Sequence, residues 1–180
     1  MNLSCPNLEG RSGIIAHDPS LAGRIISAVC SESIVPVWAK LSANTDRVVE
    51  VSTAVRDAGA SAITLINTML GMQISTSSGR PSLGNGGGGL SGPAIRPIAI
   101  RAVHDVKAAM PDVDIIGVGG IASGNDAIEM MMAGARAVQV GTASFASPSA
   151  VWDIARDAAV RMKELGFSSW ADVVGCVHRS

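Results

Sequence analysis

The feature that most limits the fold of this chain is the repeated alternation of short apolar segments with stretches of helical periodicity. Residues 35–41 (VPVWAKL), 63–66 (ITLI), 114–118 and 137–140 are each four to seven residues long and rich in Val, Ile and Leu. Such runs predict buried strands. Between them, residues 46–58 carry Val48, Val49, Val51, Ala54 and Val55 at helical spacing, and Gly59 ends that pattern. Residues 97–109 form a second helix with Pro97 in its first turn, and 125–133 a third that stops at Gly134. Ser20 is placed to cap a helix running to about Cys30, and residues 148–165 predict a long closing helix. Short apolar strands, each followed by a helix, imply an α/β protein with a parallel sheet covered by helices.

Counting residues 2–5, five strands are predicted, which leaves two architectures open: a doubly wound sheet or part of a (β/α)8 barrel. Nothing in the 180 residues marks an internal repeat or an interdomain linker, so a single domain over 1–180 is expected. The stretch 71–92 is long, irregular and rich in Gly and Ser, with four consecutive glycines from Gly86 to Gly89. A loop of that length is expected to be a lid or disordered.

Composition narrows the function. A net charge of −1 argues against nucleic acid or an anionic membrane as the main partner, and no apolar run is long enough to span a bilayer. A cytoplasmic protein is expected. Cys5, Cys30 and Cys176 have no C-x-x-C spacing, which fits reduced thiols better than a disulfide framework or a zinc site. Cys30 falls in a helical apolar pattern and reads as a small core residue. His17, His104 and His178 show no metal-ligand spacing and read as surface or capping residues.

Several strand ends carry chemistry. The last two strands run into Gly117-Val118-Gly119-Gly120 and Gly141-Thr142. Glycines there let backbone N–H groups approach an anion, and barrels commonly bind phosphate after their seventh and eighth strands. Taken singly, each motif is equally a tight turn; the pair on successive βα units points to phosphate. A side chain at Gly119 is expected to enter the phosphate's space. Lys40 lies near the end of its apolar strand, where a cation either reaches a ligand or sits at an exposed edge. Asn67-Thr68 ends the next strand with amide and hydroxyl donors, or simply forms a turn. Cys5, between Ser4 and Pro6 at a strand exit, is suited to act as a base or nucleophile if its thiolate is accessible.

Together, Asn2-Leu3-Ser4-Cys5-Pro6-Asn7, Trp38-Ala39-Lys40-Leu41 and Ile66-Asn67-Thr68-Met69-Leu70-Gly71-Met72 resemble dihydroorotate dehydrogenase. So do Gly88-Gly89-Leu90-Ser91-Gly92-Pro93-Ala94-Ile95, the glycine motif running from Gly117 to Ile121, and Val140-Gly141-Thr142-Ala143. The resemblance implies the C-terminal portion, about five βα units, of an FMN-dependent (β/α)8 TIM barrel. It also implies oxidation of dihydroorotate to orotate in pyrimidine biosynthesis. Cys5 resembles the base that takes a proton from C5 of the substrate while hydride leaves C6 for the flavin. Asn2, Asn7, Asn67 and Thr68 resemble substrate-binding residues. Asn2, Lys40, Ile66, Gly92, Gly119, Gly120, Gly141 and Thr142 resemble FMN-binding positions.

Cysteine at the base position resembles the soluble class, and the Leu-Ser-Gly-Pro-Ala-Ile and Asn-Thr-Met-Leu-Gly-Met motifs resemble its NAD-linked branch. That branch pairs the catalytic chain with a subunit carrying FAD and a [2Fe–2S] cluster, and the complete chains form homo-oligomers. Family members carry on the order of 120 further residues with the first strands of the barrel, so a partial barrel lacking its N-terminal strands is expected. The alternatives are a dihydropyrimidine dehydrogenase-like flavin domain, from which Asn7 departs, or an inactive scaffold that binds at most phosphate.

Overall fold

The computed structural model of the chain describes residues 1–4 and 15–179. Cys5 and Asn7 therefore lie outside the described residues. In order, the chain forms α1 (Pro19–Glu32), β1 (Trp38–Lys40), α2 (Val48–Asp57), β2 (Ala62–Leu65), β3 (Met69–Gly71) and β4 (Gly88–Leu90). There follow α3 (Arg96–Ala109), β5 (Ile115–Val118), α4 (Gly124–Met132), β6 (Ala137–Gln139), α5 (Ala143–Ala146), α6 (Ala150–Glu164) and α7 (Trp170–Val173).

β1, β2, β5 and β6 make one parallel sheet in that order. Spatial order follows chain order without reversal. A doubly wound sheet reverses at a switch point, whereas a barrel winds continuously in one direction. The sheet is thus the barrel type, and the helices pack in sequence outside it: α1 on α2, α2 on α3, α3 on α4 and α4 on α6. The expected fifth strand is present as a single parallel bridge, Asn2 to Lys40. Lys40 N–H donates to Met1 O at 2.9 Å and Leu3 N–H to Lys40 O at 3.1 Å.

Parallel strands covered on both sides must be apolar throughout. All four residues of β2 are buried, as are Ile115, Ile116 and Gly117 of β5. Ile63, Leu65, Ile115, Ile128 and Met130 are among the largest fully buried side chains. Gly117 is required there, since a Cβ would lie 2.4 Å from Met130 Cγ and 2.9 Å from Ala135 Cβ.

Some expected boundaries move, each for a physical reason. β1 is shorter than 35–41 because Pro36 has no N–H for a ladder, and Ile34 and Val35 stand in solvent. Helix α1 is capped by Asp18, whose carboxylate accepts from Leu21 N–H at 3.1 Å, while Pro19 takes the first turn. Ser20, the expected cap, lies in that turn and accepts from Arg24 at 2.9 Å. The closing helix forms as expected, as α6, starting two residues late at Ala150, and a separate short helix, α5, precedes it.

The largest correction concerns residues 71–92. The segment is neither irregular nor disordered but an antiparallel hairpin, β3 against β4, extended by bridges Ile74–Pro81 and Leu83–Gly86. Its glycines serve close approach. A Cβ on Gly89 would meet Thr68 Oγ1 at 2.2 Å, and one on Gly88 would meet Leu83 at 2.6 Å.

Cys30 is half-buried against the core. His104 and His178 stack with ring centroids 4.5 Å apart, and His178 Nε2 is 3.1 Å from Ala133 O. His17 departs from the surface reading, since its Nε2 is buried and has no hydrogen-bond partner among the described residues. Among the described residues no helix is long and apolar enough to cross a membrane, and no cluster of three His, Cys, Asp or Glu could hold a metal.

Candidate active site at the strand ends

Because the four strands are parallel, their C-terminal ends share one rim. Lys40 ends β1, Ile66-Asn67-Thr68 follows β2, Gly119-Gly120 follows β5, and Gly141-Thr142 lies just past β6. These residues, with Ser91 and Gly92 from the turn after the hairpin, line one cavity of about 620 Å3. Nine of the ten described residues expected at the site therefore meet in one place. The exception is Asn2, which is exposed and does not line the cavity.

Three loops form the end of the cavity nearest β5 and β6. Gly92 and Gly120 adopt φ of 85° and 72°, in the left-handed region. They pack so tightly that a Cβ on Gly120 would lie 2.8 Å from Gly92 O and 2.7 Å from Arg96 Cβ. Gly141 differs: a Cβ there meets nothing within 4 Å. It lines the cavity beside Thr142, whose hydroxyl donates to Ser91 Oγ at 2.9 Å. The donor set of glycine N–H groups and hydroxyls suits a phosphate.

The expectation for Gly119 is corrected by this geometry. A side chain there would strike Ala99 Cβ of α3 at 2.8 Å, at φ 138°, so it would disturb the core before it reached a ligand. At Gly141, by contrast, a side chain would meet open space.

The opposite end is amide-rich and already networked. Asn67 Nδ2 donates to Ser4 O at 2.8 Å and to Ser4 Oγ at 2.9 Å. Asn2 Oδ1 accepts from Ser4 N–H at 3.0 Å and Ser4 Oγ–H at 2.9 Å. Both carboxamides thus grip the buried Ser4, the residue before Cys5. Asn67 Oδ1 also accepts from Thr68 N–H at 2.8 Å. Lys40 is half-buried and, among the described residues, has no ion pair and is the one Lys or Arg lining the cavity.

Sequence reasoning missed Asn44. Its Nδ2 donates to Thr68 O at 3.0 Å and to Ser42 Oγ at 2.8 Å, and its Oδ1 accepts from Leu70 N–H at 2.8 Å. It ties the loop after β1 to the turn that carries Asn67 and Thr68. The available signal was an asparagine four residues beyond Lys40, outside any strand.

Fold and site define a barrel-type α/β protein with glycine loops, a lysine and a carboxamide gathered around one cavity at the strand ends. The sequence profile described as dihydroorotate dehydrogenase matches residues 1–162, and the chain belongs to that family. It is 45% identical over 177 residues to the dihydroorotate dehydrogenase B (NAD(+)) catalytic subunit of Geotalea uraniireducens, covering 98% of this chain and 58% of that protein. It is 41% identical to the corresponding subunit of Bacillus pumilus, covering 97% and 56%. The chain thus spans somewhat more than half the length of these relatives. Among solved structures, DHODH from Eimeria tenella in complex with ferulenol superposes with a TM-score of 0.82 at 23% identity, over 99% of this chain and 53% of that one. At that identity the superposition supports the fold.

Proposed function

We propose that this chain is the part of a dihydroorotate dehydrogenase that holds FMN and the pyrimidine, and that the complete cytoplasmic enzyme oxidises dihydroorotate to orotate in pyrimidine biosynthesis. One observation carries the reading: Lys40, Asn67, Thr68 and three glycine loops converge on a single cavity at the ends of parallel strands. The residues fit FMN, because Gly141 leaves room for a phosphate where neighbouring N–H groups and Thr142 can donate.

When bound, FMN supplies the hydride acceptor. The chain supplies the rest. Amides of Gly119, Gly120, Gly141 and Thr142 bind the phosphate, and backbone at Ile66 and Gly92 contacts the cofactor. Lys40 brings a cation to it, favouring an anionic partner. Asn67 and Asn2, by fixing Ser4, set the start of the segment carrying Cys5, which takes the C5 proton of dihydroorotate. Asn7 and Thr68 complete the contacts to the pyrimidine and its carboxylate. The relatives' designation as catalytic subunits supports a second subunit; in this reading that subunit transfers electrons and carries FAD and a [2Fe–2S] cluster. The complete chains would associate as homo-oligomers, each chain folding as one domain.

The test joins this chain to the portion of the Geotalea relative that it does not match, and purifies the product with FMN. Anaerobic dihydroorotate should bleach the flavin's visible absorption. A flavin-bound product that dihydroorotate leaves oxidised would contradict the assigned reaction. A product that retains no flavin would contradict the cofactor.

A further inference from the structure

Outside the cavity, one ion-pair cluster touches two of the three cradle loops. Arg96, at the start of α3, directly follows the turn from Gly92 to Ile95. Its Nη1 lies 2.5 Å from Asp126 Oδ1 and its Nε 3.1 Å from Glu129 Oε2, both on α4. The other oxygen of Asp126, Oδ2, accepts from Ala122 N–H at 3.0 Å, and Ala122 follows the Gly119-Gly120-Ile121 loop. Asp126 N–H in turn donates to Ser123 Oγ at 3.2 Å, the cap of α4. The Asp126 side chain is 11% exposed, so its charge is committed largely to these partners and not to solvent.

We propose that Asp126 is the positioning residue that holds the Gly92 and Gly119-Gly120 walls of the cradle at their anion-binding separation. Steric contact sets the lower limit of that separation, because Gly120 is already against Gly92 O and the Arg96 backbone. Nothing steric prevents the walls from parting. The carboxylate does, with one oxygen on each wall. It also keeps the Arg96 guanidinium turned toward α4, and Arg96 does not line the cavity. Anion binding on that side then falls to backbone amides, whose spacing Asp126 fixes. This inference rests on the FMN reading for the identity of the ligand but not for the mechanics.

The experiment uses the full chain and three variants, with amide hydrogen exchange measured without ligand and FMN and riboflavin binding measured by fluorescence quenching. Riboflavin lacks the phosphate and reports the rest of the site. Asp126→Asn should speed exchange at Ala122 and the Gly119–Gly120 amides about tenfold, leaving Ile115 and Ile116 unchanged. It should weaken FMN about tenfold while riboflavin holds. Arg96→Gln leaves Ala122 anchored and guards against a misfolded Asp126 variant; it should move both readouts in the same direction by a smaller factor. Arg96→Lys, which keeps the charge, should restore the FMN-to-riboflavin ratio to within about threefold of the parent. Unchanged exchange in Asp126→Asn, or equal loss of FMN and riboflavin, would overturn the proposal. Should the parent bind neither flavin, the functional reading fails, and the exchange data alone decide the positioning role.

Discussion

Gly141→Val separates ligand binding from folding more cleanly than any other glycine substitution in the cradle. Its Cβ meets no atom within 4 Å and its φ is not in the left-handed region, so the folded chain accepts a side chain without a clash. The stability change should stay within about 0.5 kcal/mol, as for surface substitutions away from special features. If the phosphate lies at this loop, the added methyl groups compete with it for the open space and displace it from the neighbouring amides. Charge-assisted hydrogen bonds contribute roughly 1.5–3 kcal/mol each, so losing two costs about 3–6 kcal/mol. That corresponds to a fall in FMN affinity of roughly a hundredfold to ten-thousandfold. Flavin fluorescence titration reads the affinity, and thermal melting of the unliganded chain reads the fold. Gly119→Val is the contrast: the Ala99 contact at 2.8 Å and φ of 138° should lower stability by about 1–3 kcal/mol even without ligand. If Gly141→Val melts like the parent and binds FMN with parental affinity, the phosphate does not lie at this loop.

Three further outcomes are expected. In the Geotalea chimera, Cys5→Ser should slow flavin reduction by dihydroorotate about 10²- to 10⁴-fold with FMN retained, as stopped-flow absorbance would record; reduction at the parental rate would remove Cys5 from the base role. Asn44→Ala strips partners from Thr68 O and Leu70 N–H, and should destabilise the chain by about 1–3 kcal/mol in urea unfolding, an unchanged midpoint refuting the tie. Burial pushes the Asp105 carboxyl up, but hydrogen bonds from Arg101 and His104 outweigh it and hold the group below its ordinary value of 3.8. A depressed carboxylate contributes stability that is present above its unfolded pKa and lost as pH falls through the folded one. Asp105→Asn should therefore lower the melting temperature slightly at pH 7 and not at pH 2; a difference that persists at low pH would count against the contact.

The strand–helix alternation was legible because buried parallel strands need unbroken apolar runs, and those of β2 and β5 are as apolar as the packing demands. Winding direction was not legible. It depends on which strands neighbour one another, and the order β1-β2-β5-β6 emerges only from the ladders. The hairpin was hidden for a different reason. Its glycines look like flexible linker, yet Gly88 and Gly89 are there so that Leu83 and Thr68 can approach the backbone. Gly119 and Gly141 read alike in sequence, and the structure shows that one is a packing glycine and the other borders open space. Residues that act through hydrogen bonds between distant loops, Asn44 and Asp126, carry no local pattern beyond a capping serine three positions before Asp126. The Asn2 and Asn67 carboxamides were expected to face a ligand; in the structure they bind Ser4 from two sides.

The most direct test of the cradle is amide NMR of the chain titrated with FMN and, separately, with riboflavin. Selective perturbation of the Gly119, Gly120, Gly141 and Thr142 amides by FMN alone is the predicted result. Perturbations that are the same for both flavins, or that map to strands and helices away from these loops, would contradict the account.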